Sequence, residues 1–261
     1  MSVRLERTPV EGAWAVVMDR PEALNALSTS QARELTRVCA EVAAQDDLRV
    51  VLLTSALDRA FCVGADLKER QQMDEAGLLA QRPVLVAAFA AVSALPVPTV
   101  AVVDGHALGG GFELALRCDL VVAGPGARFA LPEVGVGLVP GGGGTQLLSR
   151  RVGLNRALDL VLTGRHVDVA DAERLGLVDR RGEDATATAL ELAGVVASRS
   201  PLAVRAARTA VRAGFDLPLP EALEVEDAAW HEAATSADRV EGIDAFVTGR
   251  EPRWPSARGG R

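Results

Sequence analysis

The sequence predicts an α/β fold, a stack of loose strand-strand-helix units closed by a C-terminal helical region. Two observations carry this. Short continuous apolar runs at Ala13–Met18, Val50–Leu53, Val100–Val103 and Leu120–Ala123 alternate with turns and helical segments up to about residue 145, as buried parallel strands do. Beyond that point helices follow one another almost without strands. A third observation narrows the class. Gly105, Gly109, Gly110 and Gly111 do not give Gly-x-Gly-x-x-Gly, so a doubly wound dinucleotide fold is rejected. A chain of 261 residues makes one large domain or two small ones.

Taken in order, the first strand, Ala13–Met18, ends at Asp19-Arg20-Pro21. Ser28 reads as a helix N-cap with Gln31 three residues on, a capping-box pattern. Leu35, Val38, Cys39 and Val42 then continue at helical spacing, which predicts an amphipathic helix from Ser28 to about Ala44. Strand Val50–Leu53 leads through a polar turn to Phe61-Cys62-Val63-Gly64-Ala65-Asp66. The charged, uneven stretch Leu67 to Arg82 predicts a short helix and a mobile loop, and Val84 to Ala94 a helix stopped by Pro96 and Pro98. Strand Val100–Val103 breaks at Asp104-Gly105, passes Gly109 to Gly111 and resumes as a helix at Phe112–Leu116. Strand Leu120–Ala123 precedes a Gly124-Pro125-Gly126 turn, and Gly141 to Gly144 with Thr145 resembles another helix start. Helices are expected over Asp168–Leu175, Ala185–Ala197, Ser200–Gly214, Pro220–His231 and Ser236–Val247, with a polar tail, Arg250–Arg261, frayed at its end.

Composition excludes several functions. Aromatic residues are 3% with no Tyr, and the net charge is −7, a poor match for stacking on bases or gripping a polyanion. Cys39, Cys62 and Cys118 are too few and scattered for a metal cluster or disulfide framework. His106, His166 and His231 show no metal spacing, and His106 reads as a turn residue. The N-terminus lacks an apolar signal region and no run approaches the ~18 apolar residues of a membrane span. The expectation is a reduced, soluble, cytoplasmic protein binding neither membrane nor nucleic acid.

The stretch Val100 to Asp119 carries the chemistry. A strand, a glycine turn and a helix start bring unpartnered backbone N–H groups close to a ligand, and Glu113 sits just past them. An N–H pair for a developing oxyanion beside a general base is what enolate chemistry requires. The alternative is that the glycines only let a helix pack closely on a strand, with Glu113 a first-turn residue favoured by the helix dipole and paired with Arg117.

Five segments then point one way. Arg20-Pro21-Glu22-Ala23-Leu24-Asn25-Ala26-Leu27, Phe61-Cys62-Val63-Gly64-Ala65-Asp66-Leu67-Lys68, His106 to Ala115, Leu131-Pro132-Glu133 with Pro140 to Gln146, and Glu241 to Phe246 together resemble the crotonase (enoyl-CoA hydratase/isomerase) superfamily over nearly the whole chain. The resemblance implies a crotonase-like spiral of ββα units. Residues 1–195 would form the core carrying the active site, and 196–261 a helical trimerisation region of a homotrimer or homohexamer. It implies hydration of an enoyl-CoA thioester with no separate cofactor, coenzyme A being part of the substrate. Isomerisation, another crotonase-type reaction or a non-catalytic homologue are the alternatives.

Residue by residue, the resemblance places the oxyanion-binding N–H groups at Ala65 and Gly110, beside Gly64 and Gly109. Glu113 would activate water for the β-carbon and Glu133 exchange the proton at the α-carbon. Val63 matches a backbone contact to adenine, and Lys68 and Arg20 are candidates for the phosphates. Asp66 orders the loop. Trp230 and Phe246 match aromatics that complete a neighbouring subunit's pocket. Gly249 stands where the family has Lys, with Arg250 beside it, and Leu147 replaces a family Arg.

Overall fold

The computed structural model describes residues 1–257; the end of the polar tail lies outside the described residues. A six-stranded sheet and a four-stranded sheet share the chain. The large one contains β1 (Val3–Arg7), β2 (Ala13–Met18), β3 (Val50–Ser55), β5 (Thr99–Val103), β7 (Leu120–Ala123) and β10 (Arg180–Arg181), in that spatial order. The small one orders β4 (Ala60–Cys62), β6 (His106–Leu108), β8 (Arg128–Ala130) and β9 (Val167–Asp168). Each pair β3–β4, β5–β6 and β7–β8 gives its first strand to one sheet and its second to the other. Every such strand lies parallel to its equivalent in the preceding turn. This is a spiral of ββα units. Gly105 makes one corner possible: at φ +127° it lies so close to the next turn that a Cβ would stand 2.5 Å from the Arg59 carbonyl carbon.

The continuous apolar runs follow from burial on both faces of the large sheet. Trp14, Val16, Met18, Val51, Leu53, Ala101 and Val103 face a core closed by α1 (Thr29–Ala43), α3 (Glu75–Ser93) and α4 (Gly110–Arg117). Their alternates Ala13, Ala15, Val17, Val50, Leu52, Val100 and Val102 pack on Ala185, Ala189, Leu192 and Ala193 of α8 (Ala185–Ala197). Strand alternation thus distributes apolar side chains to two cores rather than to core and solvent.

Caps read from the sequence form: Ser28 Oγ accepts from Gln31 N–H at 3.2 Å and Ser200 Oγ from Ala203 N–H at 3.1 Å. The capping box is only half made, because the Gln31 amide is buried without a partner among the described residues instead of reaching back to Ser28. The expected break before Val84 is also overturned. Past the short α2 (Leu67–Gln71), α3 runs unbroken from Glu75 with Pro83 inside it. By length and composition α3 could cross a membrane, contrary to the expectation that no segment approaches one. Here Leu85, Ala88, Phe89 and Val92 of α3 join the core beside α1. His106 lies in strand β6, not in a turn, and Ala60–Cys62 is a strand.

After α5 (Gly144–Val152), α6 (Leu154–Thr163) and α7 (Val169–Leu175), the chain returns through α8 to α9 (Pro201–Gly214). Arginines latch α9 to the core: Arg208 and Arg212 both pair with Asp119, and donate to the Leu95 and Ser93 carbonyls respectively. Of the last helices, α10 (Leu219–Ala234) packs chiefly on α9, and α11 (Ala237–Thr248) on the short turn Pro255–Ala257 and on α10.

Candidate active site

The site begins with the loop of residues 20–27, a segment of the resemblance in which only Arg20 stands out in the sequence as a functional candidate. Leu24 and Asn25 take left-handed backbone angles (φ 50° and 59°), a conformation Asn tolerates better than most residues. The buried Asn25 amide accepts from Arg20 N–H at 2.7 Å and donates to Ser55 Oγ at 2.8 Å and the Phe61 carbonyl at 3.0 Å. It therefore ties the ends of β3 and β4 to the loop. Backbone bonds then hold the next turn: Val63 N–H to the Leu24 carbonyl, Leu27 N–H to that of Gly64, and Asp66 N–H to that of Leu27. The Ala65 N–H, in the middle, donates to nothing among the described residues.

The N-terminus of α4 presses on this turn. A Cβ at Gly111 would fall 1.9 Å from the Cys62 carbonyl oxygen, and one at Gly64 (φ +94°) 2.9 Å from the Leu108 oxygen and 3.3 Å from Gly110 N. Only glycine fits at either position. Gly110, the first residue of α4, also has an N–H without an internal acceptor. Two free amides thus meet where two glycine turns touch.

Glu113, one turn into α4, is 2% exposed. Its Oε1 accepts from Gly142 N–H at 2.6 Å and Gly144 N–H at 2.7 Å. The outward carbonyls of the same glycine run are held by arginines, Gly141 by Arg82 Nη1 at 2.6 Å and Gly142 by Arg117 Nε at 2.9 Å. Arg117 therefore does not pair with Glu113; it aims the peptide that does. A Cβ at Gly142 would stand 2.5 Å from Phe89 and 2.8 Å from Glu113 Oε2. The glycines after Pro140 are thus a cradle for a carboxylate as well as a helix start.

Glu133 opens a short 3-10 turn, Glu133–Val136, after β8. Its Oε2 is buried with no partner among the described residues. Burial pushes its carboxyl up to about 7 and the Glu113 charge adds to this, while its own backbone N–H and the Arg70 guanidinium oppose it. A Cβ at Gly109 would lie 2.9 Å from Glu133 Oε1, so Glu133 sits directly against the residue preceding Gly110. The two acids, from different turns of the spiral, are thus both tied to the first turn of α4, Glu113 as part of it and Glu133 against Gly109, the residue that precedes it.

An adjoining groove of about 560 Å³ is lined by Arg20, Val63, Ala65, Asp66, Leu67 and Lys68 among others. Asp66 caps α2 through the Lys68 and Glu69 amides and pairs with Arg20 at 2.8 Å. Arg20 also donates to the Ala26 carbonyl, so its guanidinium is spent on holding the loop. Lys68 is exposed with no carboxylate partner among the described residues, and of the two phosphate candidates it is the one with a free charge. Trp230, Phe246 and Arg250 are not brought to this groove within one chain. Phe246 is 88% exposed on α11, Trp230 borders a separate cavity between α9 and α11, and Arg250 pairs with Glu241 and Asp244. Sequence reasoning missed Asn25, the Gly142 and Gly144 amides as partners of Glu113, and Arg70 with the buried Gln81. Gly-Gly-Gly-Gly was visible as a motif; which atom its amides serve was not.

A family model described as "Enoyl-CoA hydratase/isomerase" matches residues 10–257. The chain is 39% identical over 254 residues to "Enoyl-CoA hydratase domain-containing protein 2, mitochondrial" of Mus musculus, covering 94% of this chain and 85% of that one. It is 39% identical over 251 residues to "Enoyl-CoA isomerase/hydratase fer4" of Mycosarcoma maydis, covering 92% of each. Among solved structures, an enoyl-CoA hydratase from Bacillus anthracis superposes with a TM-score of 0.95 at 34% identity over the whole of both chains.

Proposed function

The chain belongs to the enoyl-CoA hydratase/isomerase family, and within it we propose that it adds water reversibly to a trans-2-enoyl-CoA, giving the 3-hydroxyacyl-CoA. The observation that carries this reading is two unlike carboxyls at the start of α4, Glu113 in its first turn and Glu133 against Gly109. One is oriented by two amides on a single oxygen, and the other is raised to about 7 with an oxygen unpartnered. Environments that separate two acids in this way assign them to base and acid.

In the proposed reaction the thioester carbonyl oxygen accepts from the Ala65 and Gly110 amides, which stabilise the enolate as charge moves onto that oxygen. Each such donor is worth about 3 to 4 kcal/mol in the transition state. Glu113 takes a proton from water as its oxygen bonds to the β-carbon, and the neutral Glu133 gives a proton to the α-carbon. Water's atoms are all accounted for once a proton passes from Glu113 back to Glu133. Coenzyme A enters with the substrate, along the groove beside Lys68, and no separate cofactor takes part. Residues 196–261 serve in assembly as a homotrimer or homohexamer, through which Trp230 and Phe246 would meet a neighbour's site.

The test is loss of enoyl-thioester absorbance with crotonyl-CoA, together with product mass. Glu113→Gln and Glu133→Gln are each expected to lower kcat at least ~100-fold. Wild-type turnover in either variant removes that residue from the mechanism. A second reading, isomerisation of 3-enoyl to 2-enoyl thioesters, is favoured by Glu133 alone, since one acid of that pKa can carry a proton between the α- and γ-carbons. A product of unchanged mass from a 3-enoyl-CoA, with no water adduct from crotonyl-CoA, would select it.

A further inference from the structure

Glu113 is buried, and a buried carboxylate needs something to offset its charge. It makes no ion pair among the described residues. Both of its donors are amides, both fall on Oε1, and the nearby Arg117 donates to the Gly142 carbonyl instead. This leaves Oε2 as the oxygen free to meet water. What offsets the charge has to arrive through the two peptides that carry those amides, and the two are backed differently.

The Gly144 N–H shares its peptide with the Gly143 carbonyl. That oxygen accepts from Gln146 N–H at 3.0 Å and Leu147 N–H at 2.8 Å, so the first turn of α5 stands behind this amide. The Gly142 N–H shares its peptide with the Gly141 carbonyl. That oxygen accepts from Arg82 Nη1 at 2.6 Å, across 59 residues of sequence. The guanidinium lies directly over the glycine, because a Cβ at Gly141 would stand 2.8 Å from the same nitrogen. Arg82 is an exposed residue of α3, and this carbonyl is its one acceptor among the described residues. A continuous line therefore runs from a surface cation, through one peptide, to the buried oxygen of Glu113. Arg117 Nε, on the Gly142 carbonyl at 2.9 Å, fixes the same glycine from its other side.

We propose that Arg82 is a positioning residue for the base of the reaction, acting through the 141–142 peptide to hold Glu113 ionised and aimed. This rests on the reading of Glu113 as that base. A cation on a peptide oxygen polarises the peptide and makes its N–H a stronger donor. Across water the charge of an exposed arginine is largely screened, whereas the hydrogen-bonded peptide delivers it to one chosen oxygen. Oε1 is thereby fixed and Oε2 presented to water in a geometry set before substrate arrives. The alternative is a strap that only ties α3 to the glycine loop. A strap would alter folding, or binding in general, with no selective effect on what Glu113 does.

Two measurements on the full chain test this. With crotonyl-CoA, Arg82→Met is expected to lower kcat at least ~5-fold and leave KM within ~2-fold, while Arg82→Lys, which keeps a charged donor, retains most of the rate. In a Glu113→Gln background the same Arg82→Met change should add less than ~2-fold, since residues that act as a unit are not additive. In spectra of glycine-labelled protein, the Gly142 amide proton should move upfield in Arg82→Met and the Gly144 proton should stay, whereas Glu113→Gln should move both. Wild-type kcat in Arg82→Met overturns the proposal, as does an equal loss with and without Glu113, or an unmoved Gly142 proton. Arg82→Lys carries the same readouts should Arg82→Met fail to fold, its rate and its Gly142 shift then being required to stay close to wild type. Failure of the wild-type protein to form a water adduct from crotonyl-CoA would sink the hydratase reading, and the Gly142 shift would still decide whether Arg82 acts on Glu113.

Discussion

A carboxyl raised to about 7 has consequences at Glu133 that can be read in two ways. Hydration needs the protonated form to supply the α-carbon, so kcat in that direction should fall as pH rises through about 7. Dehydration needs the carboxylate, so kcat of the reverse reaction should fall as pH drops through the same value. A pair of pH profiles with coincident slopes in both directions would contradict the assignment. Stability carries the same sign. The ordinary value is 4.5 and the folded value is higher, so the folded chain holds this proton more tightly than the unfolded one. That contribution is fully present below about 4.5 and is lost as pH rises through about 7. Glu133→Gln should therefore raise Tm near pH 8 and leave it unchanged near pH 4, while abolishing activity. Such a trade of stability for function is common at active-site acids.

At the level of elements, the contact between β4 and the start of α4 is the least forgiving joint in the chain. A Cβ at Gly111 would meet the Cys62 backbone at 1.9 Å, and backbone cannot rotate away as a side chain can. Gly111→Ala is expected to cost more than ~3 kcal/mol, beyond ordinary overpacking, measured by urea unfolding; a loss under ~1 kcal/mol would mean the joint is looser than its geometry. Of this joint only the α4 side was legible, as glycines leading into a helix; its β4 side, at Cys62, lies far earlier in the sequence. The cradle of Glu113 was not legible, because its donors lie 29 and 31 residues away and have no side chains. The charged, uneven stretch up to Arg82 hid the start of α3, yet packing of Leu85, Phe89 and Val92 into the core keeps the helix whole with Pro83 inside it. The three-residue strands β4 and β6 escaped notice because their partners are supplied only by successive turns of the spiral.

Over the whole molecule, the continuous apolar strands made the sandwiched sheet legible, whereas the outer surface shows what one chain leaves unfinished. Leu154, Leu158 and Leu162 recur every fourth residue along α6 and are all exposed, so they form one apolar stripe facing outward. Phe215, Leu219 and Phe246 add exposed apolar area on the late helices. Surfaces of this kind normally meet another protein surface, and the proposed homotrimer or homohexamer supplies one. Light scattering should then give a mass three or six times the 27.3 kDa of the chain. The double variant Leu158→Glu, Leu162→Glu places two charges on the stripe without touching the sheet core. It should keep its circular dichroism, shift toward monomer and raise KM for acyl-CoA, because Trp230 and Phe246 would no longer reach a neighbour's groove. A monomeric variant with unchanged KM would leave the assembly intact as an inference and remove those two aromatics from substrate binding. A wild-type protein that runs as a monomer at micromolar concentration would remove both.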